Sequence, residues 1–302
     1  MPTWSEILND IKQNRKNIDD VRRGFIKSLS EYTGRNTIIY YSAFLTKQHQ
    51  NVDINDTDMN GFMETVHNLE RDKGLDLILH TPGGNPVATE SIVNYLKDIF
   101  NSDIRVIVPH MAMSAGTMLA CASKEIVMGY HSSLGPIDPQ FGGIPAFNIK
   151  KEFEEAQEQL TKDSKSYFYW KILLDKYNKA DYKTVINAID LSGILVKEWL
   201  SKCMLKDEEN KDELINNIVN KLNENQDSKF HARHFNHTWC KNVGLKIKNL
   251  EDDQTLQDLV LSIHHSVNLT FEISSAVKII ENNNGKTLIS SMPIIQPQKK
   301  NA

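Results

Sequence analysis

Two strand-to-helix turns, about 30 residues apart, constrain this chain more than any other feature of its 302 residues. The first is His80-Thr81-Pro82-Gly83-Gly84-Asn85. The second is Pro109-His110-Met111-Ala112-Met113-Ser114-Ala115-Gly116-Thr117. Each follows a short apolar run, Leu75 to His80 and Ile104 to Pro109, that reads as a buried strand. Each opens a helical pattern. Ile92, Val93, Leu96 and Ile99 share one face of Val87 to Phe100, and Met113 to Ser123 reads as the second helix. A third apolar run, Glu125 to Met128, follows. Strand, helix, strand, helix, strand predicts an α/β fold with a parallel sheet and crossover helices.

The flanking pattern extends that core. Residues 3–30 read as one amphipathic helix, Thr37 to Phe44 as a β-rich strand, and Met59 to Asp72 as a helix. After Gly143 the chain turns helical and charged. A long helix is predicted over 150–179, another over 181–201, and a polar surface helix over 206–228. Gly244 to Ile247 reads as a short strand, 253–267 as a helix, and 270–289 as a strand pair turning at Asn283-Asn284-Gly285. The tail from Pro293 is expected to be disordered. Three regions follow: residues 1–34, an N-terminal helix and candidate oligomer contact; 35–250, the main domain with a helical insertion at about 150–230; and 251–302, a C-terminal helix, hairpin and tail.

Composition excludes several classes. A net charge of −4 gives no reason to expect a nucleic-acid partner. No window approaches the 18 or more apolar residues that would span a bilayer, and Met1 to Lys16 does not read as a secretory signal. Cys121, Cys203 and Cys240 have neither metal-ligand nor redox spacing, so reduced thiols in a cytoplasmic protein are expected. His231, His234 and His237 in HARHFNH, and His264-His265, lack a carboxylate companion, and no metal site or cofactor is expected.

The two turns carry the chemistry. A diglycine after a buried strand permits backbone conformations that a β-carbon forbids, and lets a substrate approach the main chain. Amides of Gly83 or Gly84 could then act as oxyanion donors. Ser114 stands where a helix begins, so it is either a helix cap or an exposed nucleophile, and Ala115 N–H is a candidate second donor. A third segment, His131 to Gln140, is expected to wall the same edge of the sheet.

In order and length these segments resemble the serine dehydrogenase proteinase family of Clp/crotonase-fold serine peptidases, related to signal peptide peptidase A. Leu75 to Gly84 is similar to that family's strand and Thr-Pro-Gly-Gly turn, Val108 to Thr117 to its Ala-Met-Ser-x-Gly-Thr turn, and Glu125 to Gln140 to its Leu-Gly-Pro-x-Asp-Pro-Gln segment. The resemblance is convincing over about 35–143 and weaker to about 250. It implies a Clp/crotonase-like fold and peptide-bond hydrolysis through an acyl-enzyme on Ser114. It also implies an oxyanion hole from Gly84 (or Gly83) and Ala115, and assembly into a homo-oligomer, ring or dimer. The partners expected are protein or peptide substrates, with no membrane anchor and a cytoplasmic location.

A serine hydroxyl needs a base. Ile137 and Asp138 stand where caseinolytic Clp proteases carry their histidine, and His131 lies several residues earlier. Relatives of signal peptide peptidase A use a lysine from a later helix, which here falls on Lys165 or Lys162. Lys165 precedes the aromatic run Tyr167-Phe168-Tyr169-Trp170. Burial by that run would lower its pKa from about 10.4 toward neutrality. Two rival readings stand beside the peptidase: an inactive scaffold of the same fold that binds peptides or protein partners, and acyl-CoA chemistry, which the Ser-Ala-Gly-Thr placement disfavours.

Overall fold

The computed structural model describes residues 5–9, 17–178, 180–223 and 233–292. Residues 5–9 are helical, and helix α1 spans Ile18–Thr33. The single helix predicted over 3–30 is therefore corrected. Asn17 is in extended conformation and its side chain accepts from Asp19 N–H, capping α1 at its start.

Along the chain follow β1 (Asn36–Ser42), α2 (Asp58–Val66), β2 (Leu75–His80), α3 (Pro86–Phe100), β3 (Ile104–Val108), β4 (Met111–Ala112), α4 (Ala115–Cys121), β5 (Glu125–Met128), β6 (Ser133–Leu134), β7 (Gln140–Phe141) and β8 (Ile144–Pro145). Then come α5 (Ala146–Lys162), α6 (Tyr167–Leu174), α7 (Asp181–Lys202), α8 (Lys211–Asn223), β9 (Phe235–Asn236), α9 (His237–Val243), β10 (Ile247–Asn249), α10 (Gln254–Ile273), β11 (Ala276–Asn282) and β12 (Thr287–Ser291). The main sheet has seven strands in the order β10-β5-β3-β2-β1-β11-β12. The first five are parallel, and β11 and β12 are antiparallel. This is the α/β architecture expected from the strand–helix alternation, and it is consistent with the Clp-like fold that the resemblance implies.

Both faces of the sheet are covered, as a parallel sheet requires. Side chains alternate along each strand. Ile38, Tyr40, Leu77, Leu79, Val106, Val108, Ile126 and Met128 join the core with α2, α3, α4, α7 and α8. Ile39, Tyr41, Ile78, Ile107 and Val127 point the other way, onto α1 and α10. A small second sheet, β4-β6-β9, lies beyond the ends of the main strands.

The helix predicted over 150–179 is two, because Asp163 is extended (φ −143°, ψ 106°) and ends α5. The segment 206–228 holds α8, an amphipathic surface helix: Asp212, Glu213, Asn216 and Asn220 are exposed while Ile215, Ile218, Val219 and Leu222 pack into the main core; residues 224–228 lie outside the described residues. The strand pair predicted over 270–289 is β11 and β12, starting only at Ala276 because α10 runs on to Ile273, and β11 pairs with β1 inside the sheet. The tail from Pro293, expected to be disordered, lies outside the described residues.

A buried ion pair fastens α1 to β11. Arg22 Nε donates to Glu281 Oε2 at 2.6 Å, and both side chains are fully buried. Arg23 Nε donates to the other Glu281 oxygen at 2.7 Å. Removing one partner strands a buried charge. Glu281→Ala is therefore expected to lower the unfolding free energy by about 3–5 kcal/mol, measured by urea denaturation; a loss below about 1 kcal/mol would show that solvent reaches Arg22.

Candidate active site

The ends of β2 and β3 continue past the sheet in register. Thr81 N–H donates to Met111 O at 3.0 Å, and Met113 N–H donates to Thr81 O at 3.0 Å. This bridge sets the diglycine turn beside the serine turn. A β-carbon on Gly83 would stand 2.7 Å from Ser114 Cβ and 2.6 Å from the Met113 carbonyl oxygen, so only glycine fits.

Ser114 has φ 51° and ψ −118°, a conformation rare for a residue with a side chain. Gly116 N–H donates to Met113 O at 2.8 Å, which closes a four-residue turn. Its first central residue, Ser114, takes the type II′ angles normally held by glycine. The predicted helix thus starts at Ala115 rather than Met113, and Ser114 precedes it without a side-chain cap bond. Strain of this kind, at about 1–3 kcal/mol, persists only where surrounding structure fixes it. Here Thr117 does so: its Oγ1 lies 2.8 Å from Ala112 O and accepts from Gly135 N–H at 2.9 Å.

Two amides near Ser114 are open. Ala115 N–H is the first of the helix and has no intrahelical acceptor. Gly83 N–H donates to Thr81 Oγ1 at 3.2 Å. Gly84 N–H has no acceptor among the described residues. Its neighbours are used instead, because Ile54 N–H donates to Gly83 O at 2.7 Å and Asn85 N–H donates to Ile54 O at 2.9 Å. In such a parallel bridge the amide of Gly84 itself faces away from Ile54. Of the two glycines, Gly84 is the better donor.

Ser114, Ala115, Gly83 and Gly84 line one cavity of about 460 Å³, together with Pro82, Pro86, Met118, Ile137, Pro139, Gln140, Ser192 and Asp53. The segment from His131 thus walls this edge through Ile137 to Gln140. Asp53 is the charged residue of the lining, and no lysine or histidine is in it.

The candidate bases sit elsewhere. Lys162 is exposed and pairs with Glu158. Lys165 is also exposed, in a short 3₁₀ turn whose N-cap is Asp163. The expected burial by the aromatic run does not occur within the chain. Tyr167, Phe168 and Tyr169 are exposed, and Trp170 alone of the four is buried. His131 is exposed, with Nε2 2.9 Å from Pro109 O, and is outside the cavity lining. His234 Nδ1 lies 3.3 Å from Ser133 Oγ. His231 lies outside the described residues. No cluster able to hold a metal occurs among the described residues, and all three cysteines are free and buried.

His80 and His110 stand within the two turns, and the spacing of the turns assigns them no role. They sit with His264 of α10 on the far side of the two turns. Ring centroids are 5.5 Å apart for His80–His110, 5.3 Å for His80–His264 and 5.8 Å for His110–His264. Met111 N–H donates to His80 Nδ1 at 3.4 Å. Burial, reinforced by His110, pushes the His80 pKa down to about 3. Burial, with His80 and His110 adding to it, drives His264 well below its ordinary value.

The strained serine turn and the diglycine turn thus stand side by side after adjacent parallel strands of a ClpP-like sheet. Residues 44–189, which hold both turns, match the model of the ClpP-like SDH-type serine proteinases. Two curated relatives, both from Methanocaldococcus jannaschii, cover parts of the chain. Uncharacterized protein MJ0137 is 43% identical over 98 residues, 32% of this chain and 34% of the relative. Uncharacterized protein MJ1495 is 31% identical over 141 residues, 42% of this chain and 48% of the relative. The chain thus spans about a third and about half of the length of these relatives.

The histidine cluster makes stability depend on pH. The folded pKa values of His80 and His264 lie below the unfolded value of about 6.5. On acidification the unfolded chain takes up protons first. Stability present above pH 6.5 is then lost at about 1.4 kcal/mol per pH unit for each histidine. Urea denaturation at pH 7.5 and 5.0 is expected to differ by about 2–4 kcal/mol, and His264→Phe to reduce the difference. Equal values at the two pH values would mean that the cluster is solvated.

Proposed function

We propose that this chain is a serine endopeptidase in which Ser114 Oγ attacks the peptide carbonyl and forms an acyl-enzyme. One observation carries this reading. Ser114 holds a strained turn position beside a diglycine, and the free amides of Gly84 and Ala115 line the same cavity. Those amides receive the negative charge that develops on the carbonyl oxygen. The scissile bond lies in the cavity with the peptide extended along the Gly83-Gly84 edge. Water then releases the acyl group. The enzyme is cytoplasmic in this reading and needs no cofactor.

Lys165 supplies the base, from a second copy of the chain. Three observations support this. The cavity lining lacks a lysine or histidine, Lys165 stands exposed at the bend between α5 and α6, and it is flanked by exposed Tyr167, Phe168, Tyr169 and Ile172. Those side chains need a partner surface. Docked against one, they would exclude water from Lys165 and lower its pKa. Lys162, one turn back and paired with Glu158, is the alternative lysine. The contact makes the protein a homo-oligomer, ring or dimer, with α1 a further candidate contact. The main domain, 35–250, carries the nucleophile and the α5–α6 arm.

An inactive peptide-binding scaffold is the second reading, favoured by the same lack of a base in the lining.

A fluorophosphonate is expected to label the wild type and not Ser114→Ala, read by intact mass. Absence of wild-type labelling, with peptide binding retained, would replace the peptidase by the scaffold.

Lys165→Ala is expected to lower kcat/KM by about 10²–10⁴-fold, the usual contribution of a general base. Mixing Ser114→Ala with Lys165→Ala protein should restore part of the activity, since one copy keeps the serine and the other the lysine. No recovery on mixing would place the base within a single chain, and full activity of Lys165→Ala would remove it from the mechanism.

A further inference from the structure

The oxyanion turn is braced from the opposite edge of the cavity by a buried charge that lies outside the family-matched segment. Lys278 is in β11, with 1% of its surface exposed. Its neighbours Val277, Ile279 and Ile280 are wholly buried, so a lysine here is costly unless its ammonium is fully bonded. Lys278 Nζ donates to Asp58 Oδ1 at 2.7 Å and to the Asp53 carbonyl oxygen at 2.8 Å. The other Asp58 oxygen accepts from Tyr40 Oη at 2.8 Å and from Asn55 N–H at 3.0 Å. Both ends of the strip 53–55 are therefore tied to one buried ion pair.

Ile54, in the middle of that strip, is the residue that touches the turn. Its N–H and C=O bond Gly83 O and Asn85 N–H. Its backbone lies so close to Gly84 that a β-carbon there would come within 2.4 Å of Ile54 N. Gly83 in turn lies against Ser114. A line of direct contacts thus runs from Lys278 and Asp58 through 53–55 to Gly84 and on to Ser114. Loops of this kind are held by few contacts unless something inside the core grips them.

We propose that Lys278, acting through Asp58, is a positioning residue that fixes the strip 53–55 and so aims the Gly84 amide at the developing oxyanion. This rests on the serine peptidase reading for its kinetic consequence, and on the hydrogen bonds alone for its structural one. An oxyanion donor acts on the transition state more than on the bound substrate, so its misplacement lowers kcat with little change in KM.

The test uses three proteins. Lys278→Met alone leaves Asp58 unpaired. Asp58→Asn keeps the shape and removes the charge. Lys278→Met, Asp58→Leu and Tyr40→Phe combined replaces the network by apolar groups, which commonly restores stability lost on breaking a buried pair. Hydrolysis of fluorescein-labelled casein is measured per fluorophosphonate-reactive site, so unfolded protein does not count. Exchange of the Asn85 amide with deuterium, slow in wild type because Ile54 O accepts from it, is measured alongside.

Expected is a fall in kcat of about 10- to 100-fold in Asp58→Asn and in the triple variant, with KM within about threefold, set against the 10²–10³ that loss of a whole donor costs. The Asn85 amide is expected to exchange at least about tenfold faster. Recovery of kcat in the triple variant together with its melting temperature would overturn the proposal, since the network would then serve stability alone. If the triple variant does not fold, Asp58→Asn decides on the same two readouts. Should wild type neither label nor cleave casein, the peptidase reading fails, and the exchange rate alone decides whether Lys278 holds the turn.

Discussion

Everything at this site follows from one missing atom, the β-carbon at position 83. Ser114 Cβ occupies space that a side chain there would fill, 2.7 Å from where its first carbon would sit. That approach brings the serine turn against the diglycine turn, and each then fixes the other. The Thr81–Ala112 bridge joins them in register. The next glycine lies against Ile54 in the same way. A close-packed sheet with both faces buried cannot give by more than fractions of an ångström, so the strain at Ser114 is held rather than relaxed.

Direction of charge follows from the same packing. The turn spends its Gly83 amide on Thr81 and its flanking groups on Ile54. What remains open is Gly84 N–H, and across the contact Ala115 N–H. Neither requires a side chain, so neither can titrate or rotate away. His80 and His110 are stacked, His264 of α10 meets both edge-on, and none of the three is in the cavity lining. Burial keeps His80 neutral and makes it a packing element near pH 7, not a source of charge.

Local pattern made the site legible, and long-range contact hid the rest. Period-two alternation and the two turns carry their information within a few residues, so β2, β3, β5 and α3 fall where periodicity puts them. Breaks set by side-chain caps were harder. Asn17 and Asp163 each interrupt a pattern whose apolar spacing continues past them, and a polar residue on a solvated face gives the same local signal as a cap. The second break matters for Lys165, because it turns the aromatic run outward. The buried face of α8 was legible in its helical spacing, and it packs against α7. The place of β11 depends on β1, some 240 residues earlier. A signal was present: Lys278 and Glu281 are charges inside an otherwise apolar strand, and such charges are bonded or absent.

The base is where fold and function separate. Ser114 shares this cavity with Gly84 and Ala115, whose amides are open, and with the carboxylate Asp53, yet the lining has no amine or imidazole. Asp53 is a poor substitute. A carboxylate strong enough as a base would have to be deeply desolvated, and Asp53 is exposed with its pKa only raised by partial burial, against the pull of Lys278. In the proposed mechanism a neighbouring copy would solve two problems with one contact. It would cover the apolar side chains that α6 leaves in water, and it would desolvate a lysine beside them. Pairing the two events would tie deprotonation to assembly: a lone chain would hold its lysine charged and its serine idle, so the proposed nucleophile would gain its reactivity only inside a closed oligomer.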